Sequence, residues 1–256
     1  MRHNYRTILL AVLLLLAFVC PAVTEARIYI VSAGIADYPG TENDLSLPVK
    51  DAETIQWLFQ KNSQCSVRLL RNSEATVEGV QQALRTHFAQ AGANDVIIFF
   101  YSGHGYQGGF YLYDGRLSYD KIRKAMSQSK CNNKLIFADA CFSGKLRQGS
   151  GSSSSSTSTQ ELTRNLNVML FLSSRDNETS IESPNMKNGF FTTYLVEALR
   201  GHADANRDSL IVAKELFKYV HDGVIRLSND RQHPVMYGKF SDNMVIMNWK
   251  KNRKNK

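Results

Sequence analysis

The fold of this chain is decided by two stretches, Asp95-Val-Ile-Ile-Phe-Phe-Tyr-Ser-Gly-His104-Gly105 and Lys134-Leu-Ile-Phe-Ala-Asp139-Ala-Cys141-Phe-Ser-Gly144. Each contains a continuous apolar run, which is typical of a parallel strand buried on both faces. In open α/β sheets, functional groups lie beyond the carboxyl ends of the strands. We therefore predict that His104 and Cys141 reach the same sheet edge, where a thiol and an imidazole indicate a cysteine nucleophile with its base.

The rest of the chain alternates between apolar runs and segments with helical spacing. We predict strands over residues 27–33, 66–70, 95–101, 135–139, 167–172 and 243–247. We predict helices over residues 48–60, 77–88, 119–127, 190–199 and 213–224, with Thr76 and Ser118 as N-terminal caps, and a short hairpin at 110–113. This alternation predicts one α/β domain over residues 27–249, with a mainly parallel six-stranded sheet and helices on both faces.

The first 26 residues have the composition of a secretory signal peptide. Arg2 and Arg6 precede an apolar run at 8–19, and small residues follow around Ala26. We therefore predict cleavage near Ala26 and export, to the periplasm or outside the cell. Two alternatives remain, a lipoprotein acylated at Cys20 and an uncleaved membrane anchor, and only these would attach the protein to a membrane.

The net charge of +8 is partly local, because the last seven residues, 250–256, carry five cations. No aromatic residue is interleaved with them, which weakens a nucleic-acid interpretation. We favour a solvated basic tail and expect no nucleic-acid partner.

Both strand-end motifs resemble those of the caspase–metacaspase clan of cysteine peptidases, especially its bacterial metacaspase-like members in peptidase family C14. Tyr101-Ser-Gly-His-Gly105 is similar to the histidine motif of the clan, and Asp139-Ala-Cys-Phe-Ser-Gly144 is similar to the metacaspase Asp-x-Cys-x-Ser-Gly motif. The caspase signature Gln-Ala-Cys-x-Gly is not present. The resemblance covers about residues 28–247 and implies a caspase-like three-layer sandwich with the leading strand order 2-1-3-4.

Three cysteines, Cys65, Cys131 and Cys141, follow the predicted signal peptide, so at least one thiol is free. Cys65 and Cys131 each precede a strand. The implied strand order places three strand spacings, about 14 Å, between those strands. Bridged Cα atoms lie within about 7 Å, so we expect no disulfide.

The resemblance implies a role for each strand-end residue. Cys141 is the nucleophile, and His104 is the base that later protonates the leaving amine. The backbone N–H groups of Gly105 and Cys141 form the oxyanion hole. Gly103 and Gly105 allow a sharp turn and the close approach of a substrate backbone. The sequence shows no third catalytic member, and this chemistry requires no cofactor.

Three further residues are predicted to bind substrate. Ser102 and Asp139 each lie two residues before a catalytic residue, and alternate residues of a strand share a face. Asp51 is in the first turn of the first helix, where a carboxylate that interacts only with the helix dipole is the alternative. By resemblance to metacaspases, the three residues line an acidic S1 pocket. A carboxylate pair favours a guanidinium or ammonium group, so we predict cleavage of peptides and proteins after Arg or Lys.

A Ser-rich, low-complexity segment follows Cys141 and predicts a flexible linker over residues 147–161. In the clan, the inter-subunit linker lies at this position. Lys145, Arg147 and Arg164 flank the segment and are candidate self-cleavage sites if the specificity is basic. The alternative is a passive disordered loop.

A second motif, from Asp204 to Glu215, follows the spacing of an EF-hand calcium loop. Asp204, Asn206, Asp208 and Glu215 occupy the ligand positions, and Leu210 occupies the position that offers a backbone carbonyl. Ser209 replaces the expected glycine, and there is no partner hand. Calcium and an ordinary helix-capping loop therefore both remain open.

The sequence thus predicts an exported, monomeric cysteine endopeptidase specific for Arg or Lys. One alternative is a catalytically silent caspase-fold module that binds a partner peptide in the same cleft. Another retains the enzyme but changes its specificity, as in the clostripain or gingipain relatives.

Overall fold

The computed structural model describes residues 26–60, 62–106, 108–141, 168–175, 186–238 and 240–250, with the backbone alone at Cys141. The predicted linker, residues 1–25 of the predicted signal peptide and the tail beyond Lys250 lie outside the described residues. Among the described helices, none is long and apolar enough to cross a membrane.

The described part of the chain contains ten strands and five α-helices. The strands are β1 (Ile28–Gly34), β2 (Cys65–Arg71), β3 (Val96–Tyr106), β4 (Gly109–Leu112), β5 (Gly115–Ser118), β6 (Asn133–Cys141), β7 (Val168–Leu172), β8 (Leu210–Val212), β9 (Val235–Tyr237) and β10 (Val245–Asn248). The helices are α1 (Pro48–Gln60), α2 (Val77–Phe88), α3 (Tyr119–Ser127), α4 (Phe190–Glu197) and α5 (Ala213–Ser228).

Six strands cross the main sheet in the order β2-β1-β3-β6-β7-β9. The first five pair in parallel, and β9 pairs antiparallel to β7. The leading order, in which β1 lies between β2 and β3 and β6 follows β3, is the one that the family resemblance implied. The predicted mainly parallel six-stranded sheet is confirmed.

The identity of the sixth strand differs from the prediction. The segment expected as the last strand, 243–247, forms β10, which pairs antiparallel with β8 in a separate two-stranded sheet. The edge position in the main sheet belongs to β9. This strand is only three residues long and partly buried, and it follows directly after Pro234. A run this short has too few residues to show an alternating pattern.

Helices cover both faces of the sheet and form two apolar cores. Buried side chains of α2 and α3, such as Leu84 and Ile122, pack on one face. Buried side chains of α1, α4 and α5, such as Phe59 and Leu216, pack on the other. The predicted caps Thr76 and Ser118 accept hydrogen bonds from Gly79 N and Lys121 N, which fixes the starts of α2 and α3.

A hairpin lengthens the strand that carries the histidine motif. After its parallel pairing with β1 and β6, β3 continues to Tyr106 and pairs antiparallel with β4, which turns into β5. Gly105 is buried and lies in register with Phe110 of β4. The hairpin therefore pairs with the last two residues of β3, directly after the histidine motif.

Candidate active site

The carboxyl ends of β3 and β6 bring the two motifs together in register. Ser102 is paired with Asp139, and two residues later His104 is paired with Cys141. Neighbouring strands lie about 4.8 Å apart, so the backbones of the predicted base and nucleophile are adjacent. The side chain of Cys141 is outside the described part of the structure, and the oxyanion hole therefore stays a prediction.

The imidazole of His104 is held by a backbone carbonyl. Its Nε2 lies 2.8 Å from the carbonyl oxygen of Asn43, in a short 3-10 turn, Thr41–Asn43, that follows β1. A carbonyl only accepts, so this hydrogen bond requires the hydrogen on Nε2 and leaves the lone pair on Nδ1. The sequence showed no third catalytic member because a main-chain oxygen carries no side-chain signal.

The backbone of His104 is held at both its polar atoms by tyrosine hydroxyls. The amide of His104 donates to Tyr38 Oη at 3.0 Å. Tyr101 Oη shares its one hydrogen between the carbonyls of His104, at 2.9 Å, and Tyr111, at 2.6 Å. Gly103 lies between these hydroxyls at φ 152°, and a Cβ there would be 2.5 Å from Tyr101 Oη and 2.7 Å from Tyr38 Oη. Glycine is thus required at position 103 by the tyrosine hydroxyls, a reason that is additional to the predicted sharp turn and substrate approach.

The three predicted substrate-binding residues lie within one buried polar group. Asp51, in the first turn of α1, is only 1% exposed, Ser102 is 2% exposed and Asp139 is 7% exposed. Ser102 Oγ donates to Asp51 Oδ2 at 2.8 Å. Burial, and next the negative charge of Asp139, raise the pKa of Asp51 well above its usual value.

The start of α4 and the two residues before it provide further donors, which the sequence did not predict. Asn188 Nδ2 and the amide of Gly189 donate to Asp51 Oδ1 at 2.9 and 3.0 Å. The amide and the hydroxyl of Thr192 donate to Asp139 Oδ2 at 3.1 and 2.9 Å. The predicted helix start near Phe190 was the available signal, since exposed N–H groups at a helix N-terminus favour carboxylates.

The two thiols that the structure describes, those of Cys65 and Cys131, are poorly suited to nucleophilic chemistry. Cys65 and Cys131 are both free, as expected from the separation of their strands. Burial raises the pKa of the Cys65 thiol to about 12. Burial also raises the pKa of Cys131, whose Sγ donates to the carbonyl of Asp95. Because the thiolate is the nucleophile, a raised pKa makes both side chains less reactive.

The EF-hand-like loop lies between α4 and α5. Ser209 takes φ 77°, the left-handed conformation of the glycine it replaces, and donates its amide to Asp204 Oδ2 at 3.0 Å. Asn206 and Asp208 accept amides two residues ahead, and Glu215 caps the start of α5. No three His, Cys, Asp or Glu side chains among the described residues form a group that could hold a metal ion. These contacts are those of a capping loop, and calcium stays a prediction.

Comparisons with known proteins agree with this architecture. The sequence matches the family model of the caspase domain over residues 31–245. The chain therefore belongs to this family of cysteine peptidases, and the predicted resemblance is confirmed. No curated protein sequence matches the chain significantly.

Two solved structures share the fold. Protein GSU0716 from Geobacter sulfurreducens has a TM-score of 0.62 at 15% identity, over 87% of this chain and 98% of that chain. Caspase-1 from Spodoptera frugiperda has a TM-score of 0.58 at 16% identity, over 86% and 89%. The predicted caspase-like α/β fold is confirmed.

The burial of Asp51 predicts an unusual pH dependence of stability. Because the pKa of Asp51 is raised in the folded state, folded Asp51 keeps its proton above about pH 4, where Asp51 in the unfolded chain has lost it. The free energy of unfolding therefore falls as pH rises from about 4 toward the raised pKa. Asp51→Asn removes this charge. In chemical denaturation from pH 4 to 8, the variant should gain stability relative to the wild type as pH rises. The exposed Asp120→Asn is the control. A difference that is constant or shrinks with pH would contradict this prediction.

Proposed function

We propose that the protein is an exported cysteine endopeptidase that hydrolyses peptide bonds after Arg or Lys. The observation that carries the proposal is the pairing of His104 with Cys141 in register, beside the buried carboxylates of Asp51 and Asp139. The family supports cysteine-peptidase chemistry. Export depends on the predicted signal peptide, and no cofactor has a step in the mechanism.

In the proposed acylation step, Nδ1 of His104 takes the proton from the Cys141 thiol, and the thiolate attacks the scissile carbonyl carbon. The carbonyl π electrons move to oxygen, and the N–H groups of Gly105 and Cys141 stabilise this oxyanion. The intermediate collapses, the C–N bond breaks and His104 returns the proton to the leaving amine. The carbonyl of Asn43 stabilises the imidazolium through Nε2–H.

Deacylation repeats these transfers with water in place of the thiol. Nδ1 of His104 accepts a proton from water, whose oxygen attacks the thioester carbon. When the second tetrahedral intermediate collapses, the C–S bond breaks and the sulfur recovers the proton from His104. The products are a carboxylic acid and the free thiol.

The proposed specificity comes from Asp51 and Asp139, which we call the acid pair. Two carboxylates close to the nucleophile supply acceptors for the planar guanidinium of arginine or the ammonium of lysine. A bound cation also relieves the repulsion between Asp51 and Asp139. The pKa of Asp51 is raised, and a bound cation would favour its ionised form. A P1 aspartate would instead bring a further negative charge beside Asp139, which is unfavourable.

A panel of fluorogenic peptides with Arg, Lys, Asp and Asn at P1, with and without calcium, tests this proposal. We expect turnover of the Arg and Lys peptides only, and loss of turnover in Cys141→Ala but not in Cys65→Ala. Asp139→Asn should lower kcat/KM for the Arg peptide by about thirtyfold or more, because a buried charge pair loses one partner.

Two results would overturn the proposal. A preference for Asp would contradict the acidic pocket. No turnover of any peptide, combined with peptide binding, would favour the alternative of a silent peptide-binding module.

We also propose that the enzyme cleaves itself beside the Ser-rich linker. Lys145, Arg147 and Arg164 carry the required basic P1 side chains, and all three lie outside the described residues. Purified wild type should separate into two fragments whose new C-terminus is one of these residues, whereas Cys141→Ala stays intact. Identical fragments from both proteins, detected by mass spectrometry, would contradict self-processing.

A further inference from the structure

The two acidic residues come from distant parts of the chain and meet at a third element. Asp51 belongs to α1 and Asp139 to β6, and the first turn of α4 donates hydrogen bonds to both. Like charges in a buried site repel. Donors and the positive end of the helix dipole favour the ionised forms. The start of α4 therefore offsets part of the cost of burying this pair.

Thr192 contacts Asp139 in an unusual way, because both of its donors converge on one oxygen. The amide and the hydroxyl each bond Oδ2, and the side chain of Thr192 is fully buried. The surrounding core leaves this side chain no access to water, so its hydroxyl has Asp139 Oδ2 as its partner.

The position of Gly189 shows which carboxylate oxygen lies against α4. A Cβ on Gly189 would collide with Asp139 Oδ2, whereas Oδ1 would be 3.4 Å from it. Oδ2 is thus the oxygen held by the helix, and Oδ1 is the more distant one. Rotation of the carboxylate about its Cβ–Cγ bond would break both bonds to Thr192.

We propose that Thr192 is a positioning residue for P1 specificity, since its hydroxyl fixes the Asp139 carboxylate in the orientation that receives a cationic P1 side chain. This inference rests on the proposed function of the same site. It assigns selectivity to a neutral residue of α4 that touches no reacting atom. The competing explanation is that Thr192 only stabilises the start of α4.

Paired substitutions distinguish these explanations. Thr192→Val removes the hydroxyl and preserves the shape, Thr192→Ser preserves the hydroxyl, and Thr193→Val makes the same change at the next position, whose side chain is partly exposed. The substrates are peptides with arginine or its neutral isostere citrulline at P1. We expect Thr192→Val to raise KM for the arginine peptide about tenfold, with kcat and the citrulline reaction unchanged.

The two other variants should match the wild type. Equal losses on the arginine and citrulline peptides would indicate a structural role and overturn the proposal. Unchanged selectivity in Thr192→Val would overturn it as well, without affecting the proposed peptidase activity.

A binding measurement separates failure of this inference from failure of the proposed function. In the Cys141→Ala protein, calorimetry with an acetylated peptide that ends in arginine should show binding that Thr192→Val weakens about tenfold and Thr192→Ser preserves. If no peptide is cleaved but this pattern holds, the peptidase proposal fails and the role of Thr192 stands. Equal binding in all variants, or no binding, overturns the role of Thr192.

Discussion

Parallel pairing of β3 with β6 places Ser102 opposite Asp139 and His104 opposite Cys141. The rest of the site depends on this register, because a shift by one residue would move every side chain to the other face of the sheet. The register is held by apolar side chains on both faces of these strands, such as Phe99 and Phe137, which are almost fully buried in the two cores. The same burial that stabilises the sheet therefore aligns the proposed base, nucleophile and acid pair.

Around this pair of strands, neighbouring elements provide groups that orient the site. The loop after β1 supplies the Asn43 carbonyl for the His104 ring and the Tyr38 hydroxyl for its backbone. The start of α4 supplies donors for Asp51 and Asp139. Without hydrogen bonds, the burial of these carboxylates would cost a large amount of free energy. Their hydrogen bonds offset part of that cost, and the raised pKa of Asp51 shows that a penalty remains.

The sequence predicted those parts of the molecule that depend on local patterns. The apolar runs of β3 and β6 and the helix at Pro48–Gln60 are found where periodicity placed them, and Ser102 and Asp51 are hydrogen bonded to each other. What it missed depends on contacts between distant segments. A main-chain oxygen at Asn43 and a helical hydroxyl at Thr192 have no distinctive pattern. The edge strand β9 is too short to show a sequence pattern. The pairing of β10 with β8, rather than with the main sheet, depends on tertiary packing.

We propose that Cys141, activated by His104, attacks the substrate beside a pocket for a cationic side chain. Labelling with a peptidyl-arginine chloromethyl ketone, followed by mass-spectrometric peptide mapping, is a direct test. We expect an adduct on Cys141 that forms faster than with the matching aspartate reagent and slows markedly in His104→Ala. Labelling at Cys65 or Cys131 instead, or equal rates for the two reagents, would contradict it.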